Sequence, residues 1–460
     1  MGSGEPLDPA FPLIKRAAHE QGVRAWAVGG FVRDRLLGRA HPDLDILVED
    51  GDALRLAERF AELAGAHKPV LFPRFGTAQV TWGDRLVEFA TARAESYATD
   101  SRKPEVRPAT LREDLERRDF TVNTLLMDLD GHVHDPLGRG LADLEARLLR
   151  TPRDPVETFS DDPLRMLRAI RFAAQLGFRL APDLLPAMRK LKDRLRPPVL
   201  SVERTADELR KMLLSERPAL ALELMDEGGL LEIVLPELAA TKGVAQKGWH
   251  HADVYGHTLE ALALAPPALT ERLAVLLHDT GKPLTAGGDG TFYGHEQKGA
   301  ELAAEALRRL RFSNAEAERV STLIRLHMRP VYYESSWGDS AVRRLARDAG
   351  DLLGPLLAVA RADIAASDYP EPEKLDDLQA RLMAVLEEEP SRIRVPVSGE
   401  DVMRELGLRP GPEVGRIKAE IEEKILEGEL EPDREAILDH LRRRKRSRGE
   451  GGGSALRGRP

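Results

Sequence analysis

The sequence predicts an α+β protein in which an α/β head precedes a helical remainder. The first 150 residues mix strand-like and helical segments with Gly-rich turns. After Thr151 the apolar periodicity is almost wholly helical, as in "DPLRMLRAIRFAAQLGF", where Gly177 is placed as a helix stop. A chain of 460 residues is also too long for one core. The divisions we expect are a head (1–150), a helical neck (151–215), a helical body (216–386) and a helical tail (387–460).

The composition is that of a globular protein, with 42% hydrophobic and 32% charged residues. No apolar run approaches the roughly 18 residues needed to span a membrane, and the amino terminus lacks the apolar core of a signal peptide, so we expect a cytoplasmic protein without a membrane partner. The absence of cysteine excludes disulfides, thiolate ligands and Cys nucleophiles. The net charge of −9 argues against a surface uniformly coated for nucleic acid, but it permits a local basic patch.

Two aspartates stand two apart at the start of a strand-like segment of the head, "DLDILV". Strand alternation puts Asp43 and Asp45 on the same face, where their charges repel unless a cation lies between them. Two Mg²⁺ ions would neutralise them and clamp the attacking and leaving oxygens of a phosphoryl transfer. The alternative is a strand edge with solvated acids. Glu88, in the strand-like "RLVEFAT", is either a third metal ligand or an ordinary exposed carboxylate.

A Gly-Gly turn precedes this pair. Gly29 and Gly30 follow the apolar "RAWAV" and lead into the helical "FVRDRLLG". A turn of this kind lets backbone N–H groups approach a triphosphate. Arg33 in the same helix is a candidate phosphate partner.

Successive stretches of the chain resemble the motifs of class II tRNA nucleotidyltransferases, the CCA-adding enzymes and their bacterial poly(A) polymerase relatives. The stretches are "GGFVRDRLLG" with "DLDILV", then "LREDLERRDFTVNTLLMD", "DDPLRMLRAIRFAAQLGF" and "SVERTADELRKML". They occur in the family's order over residues 25–215. The resemblance implies a polymerase-β-like nucleotidyltransferase head whose metal-binding pair is Asp43 and Asp45.

The same resemblance implies roles for the residues of "ERRDFTVN". Asp119 matches the acceptor of a ribose 2′-OH, and Arg117 and Arg118 match the arginines near the triphosphate. Asn123 matches a structural or nucleotide-facing position, and Arg168 joins the nucleotide-binding set. A solvated charged turn is the alternative for residues 117–119.

Asp162 and Arg165 are candidates for base selection. At positions i and i+3 of a helix they share a face. An Asp acceptor and an Arg donor side by side complement the edges of C and A and mismatch U and G. The alternative is that Asp162, directly before Pro163, caps the helix. We favour base selection, with Asp161 as the capping neighbour, although the family usually has Glu-Asp where this chain has Asp-Asp.

A second block of candidate ligands occupies the body. Helical spacing puts His327 and Asp363 on otherwise apolar faces, where a buried acid needs a partner. The block resembles the HD phosphohydrolase domain, whose ligands and additional histidines match His257, His278, Asp279, His295, His327 and Asp363. Such a donor set suits Mn²⁺, Ni²⁺, Fe²⁺ or Mg²⁺, and metal-bound hydroxide attacking a phosphoester is the natural reaction. The alternative is that each His is a satisfied core or surface residue. Lys282 is either a phosphate contact or a helix-end lysine, and we regard His250 and His251 as bystanders.

The tail begins with a linker-like segment (387–401). The part that follows resembles the helical segment that contacts tRNA in relatives, and the chain ends in a segment that we expect to be disordered. Basic residues near this end would bind RNA phosphates without sequence preference, or they are a solvated tail. They are Arg442, Arg443, Arg444, Lys445, Arg446 and Arg448.

The resemblance implies addition of C and A, from CTP and ATP, to the 3′ end of tRNA, with a second site for phosphoester hydrolysis. Three alternatives stay open within the class: addition of CC only, addition of A only, and poly(A) polymerase activity. The alternative from another class is a protein that acts chiefly as an HD phosphohydrolase.

Overall fold

The computed structural model describes residues 7–41, 43–96, 105–246, 252–287, 291–388 and 395–451. His250 and His251, the segment 97–104 and the part of the linker at 389–394 lie outside the described residues. Contacts divide the chain into two compact units. They are Met1–Ala239 with Arg309–Arg311, and Ala240–Arg308 with Phe312–Pro460.

The described strands belong to the first unit and form one large sheet and two small ones. In chain order they are β1 Arg24–Val28, β2 Leu44–Glu49, β3 Val70–Phe72, β4 Thr77–Trp82, β5 Arg85–Thr91, β6 Arg93–Ser96, β7 Glu105–Pro108, β8 Leu126–Met127, β9 Val133–His134, β10 Leu148–Leu149 and β11 Arg179–Leu180. The large sheet has the order β3-β4-β5-β2-β1-β8-β9, while β6 pairs with β7 and β10 with β11. This mixture of a sheet-based head and a helical remainder confirms the predicted α+β class.

The register of the large sheet positions the acidic residues of the head. β1 is antiparallel to β2 and aligns Val28 with Asp45, whereas β5 is parallel to β2 and aligns Glu88 with Asp45. Ile46, Leu47 and Val48 are buried, so both faces of β2 are covered beyond its first residues. In β2 only Asp45, near the start, and Glu49, at the end, keep part of their surface exposed.

Helices cover the sheet and continue the first unit. They are α1 Phe11–Gln21, α2 Gly30–Leu36, α3 Ala53–Ala64, α4 Leu111–Glu116, α5 Gly140–Glu145, α6 Pro155–Asp161, α7 Leu164–Leu176, α8 Leu184–Leu191, α9 Val202–Leu213, α10 Pro218–Glu227, α11 Leu231–Val234 and α12 Pro236–Ala239. Short 3₁₀ turns occur at Pro73–Phe75, Thr121–Asn123 and Lys192–Leu195. Gly177 ends α7 with φ +68°, as predicted, because a left-handed residue there costs glycine little.

In its described part the second unit contains helices and no strand. They are α13 Val254–Leu264, α14 Leu269–Leu277, α15 Lys282–Thr285, α16 His295–Arg309, α17 Asn314–Leu326, α18 Met328–Val331, α19 Asp339–Ala349, α20 Leu353–Ala365, α21 Lys374–Glu388, α22 Gly399–Leu406, α23 Pro412–Leu426 and α24 Arg434–Gly451, with a 3₁₀ turn at Gly350–Leu352. Helices α13, α14, α17 and α20 pack together. Among the described helices, none has the length and apolar character that crossing a membrane requires.

Two local predictions differ from the structure. The neck is not entirely helical, because Arg179–Leu180 pairs in parallel with Leu148–Leu149. The basic segment that we expected to be disordered continues α24 as far as Gly451, since its Arg and Lys residues favour a helix. The units divide at Ala239, so α10–α12 belong to the first unit, and the finer division into neck, body and tail stays a prediction.

Candidate functional site

The first unit contains a cleft of about 330 Å³ beside the start of β2, which we call the head cleft. Ten of the residues predicted from the sequence line it: Gly29, Gly30, Arg33, Asp43, Asp45, Glu88, Arg118, Asp119, Asn123 and Arg168. Leu86, His41 and Phe172 complete the lining. The other three residues predicted for this site, Arg117, Asp162 and Arg165, lie outside the lining.

Three carboxylates converge on the head cleft. Asp43 comes directly before β2, Asp45 is the second residue of β2, and Glu88 is the register partner of Asp45 on β5. Burial and the nearby charge of Glu88 raise the pKa of Asp45 above its usual value. This arrangement favours a cation, and carboxylate oxygens are the ligands that Mg²⁺ prefers. The type of the donor atoms therefore suits divalent metal ions, whereas among the described residues the groups whose ligand atoms lie within 4.8 Å of one another do not include these three acids. Gln79 Nε2 holds one Glu88 oxygen at 2.5 Å.

The Gly-Gly turn brings the backbone against this carboxylate. Gly29 has φ +75°, and a Cβ atom on it would lie 3.3 Å from Asp45 Oδ2 and 3.5 Å from Arg118 Nη1. A Cβ atom on Gly30 would lie 2.7 Å from His41 Nε2. Both glycines thus keep space open at the edge of the cleft.

Replacing Gly29 with alanine is expected to destabilise the fold by about 1–3 kcal/mol, because an alanine is strained at this positive φ. The variant should also slow any reaction in the cleft by roughly tenfold or more, because the added Cβ atom forces Asp45 to move. Gly38→Ala is the matched control, since Gly38 has φ +65° but a Cβ atom on it would meet no heavy atom within 4 Å. The measurements are thermal unfolding and the rate of the nucleotide addition that the family resemblance implies. Equal rates for the two variants would contradict a role for the close approach.

A hydrogen-bond chain fixes the polar wall of the cleft. Arg33 donates to both oxygens of Asp34 at 2.8 Å and to Asn123 Oδ1 at 2.8 Å. Asn123 Nδ2 donates to Asp119 Oδ1 at 2.9 Å, and Arg168 donates twice to Asp119 Oδ2 at 2.9 and 2.6 Å. The guanidinium of Arg33 is therefore engaged through all three of its nitrogens, so its position is set by protein contacts.

Burial alone would raise the pKa of Asp119, but Arg168 and the Asn123 amide hold it well below its usual range. The carboxylate also accepts from the Phe120 backbone N–H at 2.8 Å. A ribose hydroxyl would have to replace one of these donors. In this structure Asp119 orients Arg168 and Asn123 towards the cleft.

The paired arginines share one buried acid. Arg117 donates to Asp114 Oδ1 at 2.6 Å and Arg118 to Asp114 Oδ2 at 3.1 Å, while Asp114 itself is 0% exposed. Arg118 lines the head cleft, and both arginines line an adjoining cleft of about 420 Å³ that also includes Asp45 and Glu88. Asp114 was not among the residues predicted from the sequence, although it stands three and four residues before the arginines, the spacing of neighbours on a helical turn.

His41 is a second lining residue that the sequence analysis missed. Its Nδ1 lies 2.6 Å from the Asp43 carbonyl oxygen, to which only a protonated nitrogen can donate. Its Nε2 lies 3.7 Å from Asp34 Oδ2. Nothing in a single sequence distinguishes this histidine except its position two residues before Asp43.

The geometry around Asp162 corrects one expectation. Asp162 Oδ1 accepts from the Leu164 backbone N–H at 3.1 Å, so Asp162 itself caps α7, and Asp161 instead pairs with Arg153. Asp162 lies between α6 and α7 and is therefore outside the helix that was expected to carry it. Its Oδ2 accepts from Arg204 at 2.8 Å.

Arg165 is also engaged by the protein. It donates to the backbone carbonyls of Arg117 at 2.6 Å and Thr158 at 3.3 Å. The pair is thus held by separate partners in this structure, and its role in base selection stays a prediction.

The second unit brings all six predicted ligands of the body together in what we call the histidine centre. Its members are His257 on α13, His278 and Asp279 after α14, His295 at the start of α16, His327 between α17 and α18, and Asp363 on α20. All are buried. The ligand atoms of His257, His278 and Asp363 lie within 4.8 Å of one another, as do those of His278, Asp279 and His327.

Backbone carbonyls fix the orientation of all four imidazole rings. Each Nδ1 faces a carbonyl oxygen: Val275 for His278 (2.7 Å), Phe292 for His295 (2.9 Å), Ile324 for His327 (2.6 Å) and Ala366 for His257 (3.2 Å). A carbonyl can only accept, so each Nδ1 carries the proton. The four Nε2 atoms are therefore the ones that face the acids.

Within the described residues, the Nε2 atoms of His278, His295 and His327 and Oδ1 of Asp279 are buried without a hydrogen bond of good geometry. Acid oxygens nevertheless lie near two of them, 3.2 Å from His278 Nε2 and 3.5 Å from His295 Nε2. Buried polar atoms that lack a partner are costly, and a metal ion would satisfy all of them. Histidines whose Nδ1–H is fixed by a carbonyl are typical of metal ligands. The donor set of imidazole nitrogen and carboxylate oxygen fits a transition metal.

The pKa shifts within the histidine centre also favour a bound cation. Burial would lower the pKa of His278, but Asp279 and Asp363 raise it to about 10. Burial, His278 and His295 lower the pKa of His327 to about 3. Without a metal the acids thus hold a proton on His278, a charge that a divalent ion would replace. Lys282 Nζ lies 2.6 Å from Asp279 Oδ2, so it contacts the centre and is not a plain helix-end lysine.

Comparisons with known proteins cover most of the chain. Residues 25–150 match the family model described as the Poly A polymerase head domain, residues 177–242 match the model of a probable RNA and SrmB-binding site of polymerase A, and residues 296–441 match tRNA nucleotidyltransferase domain 2.

Two curated relatives and one solved structure illustrate the similarity. The A-adding tRNA nucleotidyltransferase of Deinococcus radiodurans is 35% identical over 89% of this chain and 93% of its own. The CC-adding tRNA nucleotidyltransferase of Thermus thermophilus is 38% identical over 90% and 92%. The structure of the Bacillus stearothermophilus CCA-adding enzyme in complex with CTP is 26% identical, with a TM-score of 0.66, and the match covers 97% of this chain and 100% of that one. With its head cleft, its order of motifs and these relatives, the chain belongs to the tRNA nucleotidyltransferase family of CCA-adding enzymes and poly(A) polymerases.

Proposed function

We propose that this protein adds C and A nucleotides, from CTP and ATP, to the 3′ end of tRNA without a nucleic-acid template. The observation that carries the proposal is the convergence of Asp43, Asp45 and Glu88 on one cleft whose rim is the Gly29-Gly30 turn. Members of this family use a divalent metal, and the oxygen donors favour Mg²⁺. The proposal assigns the protein to the cytoplasm, where its tRNA substrate is found.

Different side chains of the head cleft have different roles in the proposed reaction. Asp43 and Asp45 would hold two Mg²⁺ ions, with Glu88 as a further acceptor beside Asp45. Bound metal supplies charge neutralisation at the attacking and leaving oxygens. The 3′-hydroxyl of the RNA loses its proton to water, and its oxygen forms a bond to the α-phosphorus. The bond between that phosphorus and the bridging α–β oxygen breaks, and pyrophosphate leaves with that oxygen. Arg118 and Arg168, anchored by Asp114 and Asp119, offer cationic groups to the triphosphate.

Asp162 and Arg165 would select the base. In the free protein Asp162 Oδ2 is held by Arg204 and the Arg165 guanidinium by backbone carbonyls. To bind the edge of C or A, Asp162 would release Arg204 and Arg165 would release a backbone carbonyl. This exchange requires a local rearrangement of the α6–α7 junction. The chain would thereby read bases through amino-acid hydrogen bonds.

Asp162→Ala and Arg165→Ala are expected to reduce the preference for CTP and ATP over UTP and GTP by roughly 10- to 100-fold, the value of one good hydrogen-bonded base contact. Asp154→Ala is the matched control, since Asp154 caps α6 through the Val156 N–H at 2.8 Å and its loss removes only a cap. The measurement is kcat/KM for each nucleotide. An unchanged preference in both variants would contradict base selection by this pair.

The direct test is gel-resolved extension of tRNA transcripts that end before the CCA, after C and after CC, with Mg²⁺ and each nucleotide. Addition of CCA followed by arrest is the expected result. Stopping after CC, or adding one A to the CC-ended RNA only, would identify a specialist. Long A tails would identify a poly(A) polymerase, and no extension by folded protein would refute the proposal.

We infer a second activity, hydrolysis of a phosphoester at the histidine centre. The observation that supports it is the set of three buried Nε2 atoms without hydrogen bonds among the described residues, each on a ring fixed by a carbonyl. A metal such as Mn²⁺, Ni²⁺, Fe²⁺ or Mg²⁺ held there would activate water and polarise a phosphoryl oxygen. Lys282 would contact the phosphate beside Asp279.

RNA binding by the tail is a further part of the proposal. Val402, Ile417, Ile421 and Leu438 belong to the apolar core of α22–α24, which keeps α24 in place. Some of its basic residues already pair with acids, as Arg442 does with Glu405 at 3.2 Å and Arg444 with Glu420 at 2.6 Å. The electrostatic contribution to RNA binding is therefore smaller than the number of basic residues suggests.

A further inference from the structure

The large sheet of the first unit carries its acidic residues on one face. Register partners on neighbouring strands point to the same face of a sheet. One such row crosses β3, β4, β5 and β2: Val70, Gln79, Glu88 and Asp45. Phe72 stands two residues after Val70, so it lies on this face as well, because side chains alternate along a strand. We call this the acidic face of the sheet.

The two faces differ in how well they are covered near β3. Val80 and Phe89 point to the opposite face and are 0% exposed, and the Phe89 ring centroid lies 5.4 Å from that of Phe60 on α3. On the acidic face, Val70 is 57% exposed and Phe72 is 37% exposed. Large apolar side chains that a fold leaves in water beside a polar cleft are typical of binding surfaces.

A cation stands at the end of this exposed row. Arg74 lies in the 3₁₀ turn that follows β3, and its guanidinium is 5.8 Å from the centroid of the Phe75 ring. Among the described residues, no carboxylate pairs with Arg74. A guanidinium beside exposed aromatic surface suits a polyanion that carries planar groups, and RNA has both. We call Val70, Phe72 and Arg74 the β3 ledge.

The β3 ledge adjoins the site of the proposed reaction. The cleft of about 420 Å³ beside the head cleft is lined by Thr77 and Gln79, the residues of β4 that pair with the ledge. This cleft shares Asp45, Glu88 and Arg118 with the head cleft. Neighbouring strands lie about 4.8 Å apart, so β3 is roughly 10 Å from β5. An RNA end that reaches the carboxylates through the adjoining cleft would therefore cross the ledge.

The backbone of β3 is poorly suited to pair with a strand of another protein. β3 is an edge strand of three residues, and Pro69 and Pro73 flank it. Short edge strands and prolines both limit the addition of a further strand. The ledge therefore offers side chains rather than backbone to a partner, which is how proteins contact single-stranded RNA.

We propose that the β3 ledge holds the single-stranded 3′ end of the RNA, with Phe72 stacked on a base just before the reacting nucleotide and Arg74 on a phosphate. This inference rests on the nucleotide addition proposed above and adds a binding surface for the RNA. The head cleft takes the incoming nucleotide, while the adjoining cleft and the ledge take the RNA. Stacking has little base preference, so the ledge accepts the RNA end at each stage of its growth.

The first test is steady-state nucleotide addition by the full-length protein to a tRNA ending in CC, with ATP and Mg²⁺. Phe72→Ala/Arg74→Ala is expected to raise KM for the tRNA by roughly 10- to 100-fold and to leave KM for ATP unchanged, because the lost contacts are to the RNA alone.

Arg55→Ala/Leu141→Ala is the matched control. Arg55 is exposed on α3 and Leu141 is 43% exposed on α5. Neither residue lines the two clefts. Thermal unfolding of each variant identifies losses that are caused by misfolding.

The second test measures binding without reaction, by fluorescence anisotropy of the labelled tRNA in EDTA. The base is removed from each of the last three nucleotides in turn. At one of these positions, base removal should weaken binding to the wild type but not to Phe72→Ala, because that variant has already lost the stack. Phe72→Trp should restore binding, whereas Phe72→Leu, which is apolar but has no ring, should not.

The outcomes separate the ledge from the proposed function. A wild type that binds tRNA but adds no nucleotide refutes the function and leaves the binding comparison in force. Unchanged binding and unchanged KM in the folded ledge variant overturn the ledge, and a docking surface for a protein would give that result. An equal rise in KM for ATP also overturns it, since the head cleft would then be displaced. If leucine restores binding as well as tryptophan does, Phe72 does not stack on a base.

Discussion

The double variant Asp43→Ala/Asp45→Ala is expected to lose nucleotide addition by roughly a thousandfold or more in kcat. The two carboxylates are the central metal ligands of the proposal, and charge stabilisation by bound metal contributes several kcal/mol to such a transition state. Removing them also relieves repulsion with Glu88, so the fold should be no less stable than the wild type. The measurement is single-turnover extension of a CC-ended tRNA with ATP, together with thermal unfolding.

Asp84→Ala provides the control, because Asp84 is an exposed acid in the turn between β4 and β5. It should extend tRNA like the wild type. Phosphate release from AMP with Mn²⁺ should persist in the double variant, since the histidine centre belongs to the other unit. If the double variant still adds nucleotides, Asp43 and Asp45 do not have the proposed role. If a folded double variant loses both nucleotide addition and phosphate release, the two activities do not belong to two separate sites.

The variant His278→Ala/Asp279→Asn is expected to lose metal binding in the second unit and all phosphoester hydrolysis while sparing nucleotide addition. Asn is chosen because Lys282 Nζ lies 2.6 Å from Asp279 Oδ2 and needs an acceptor. In the wild type, Mn²⁺ or Ni²⁺ at about a hundred times its Kd should stabilise this unit by about 2.7 kcal/mol, which corresponds to roughly 5–10 °C in Tm. The variant should show no such shift.

His19→Ala is the control for this experiment, because His19 is exposed on α1 in the first unit. Its metal-dependent shift should equal that of the wild type. A shift that survives in the variant would contradict metal binding by His278 and Asp279. Lost nucleotide addition in a variant that unfolds normally would mean that the two sites do not act independently.

The sequence predicted the α+β class and the family correctly because both depend on local signals. The strand alternation of "DLDILV", the helix stop at Gly177 and the order of the motifs are all readable along the chain. The six residues of the histidine centre were chosen through their resemblance to the HD phosphohydrolase domain, and helical spacing by itself singled out only His327 and Asp363 on apolar faces. Their metal and their reaction stay predictions.

The predicted position of Asp162 was wrong because its carboxylate is suited both to base selection and to capping a helix. Asp162 was expected on a helix with Arg165, but it lies at the junction of α6 and α7, caps the second helix and pairs with Arg204. Capping α7 and selecting a base both need the Asp162 carboxylate, and the spacing of Asp162 and Arg165 in the sequence is compatible with either role. The distant partner, 42 residues away, is decided by how α9 packs on α7.

The sequence alone determined which residue types are present and which of them are neighbours along a strand, a turn or a helix. It contains no thiol, so metal sites rest on His, Asp and Glu, and the Gly-Gly turn stands next to the acidic strand. Tertiary structure decided which of these groups meet. The alignment of Glu88 with Asp45, the pairing of Asp162 with Arg204 and the meeting of His257 with Asp363 all follow from packing. The physical reason is that the energy of a charge or a ring depends on its neighbours and on its access to water, and residues far apart in the chain supply both.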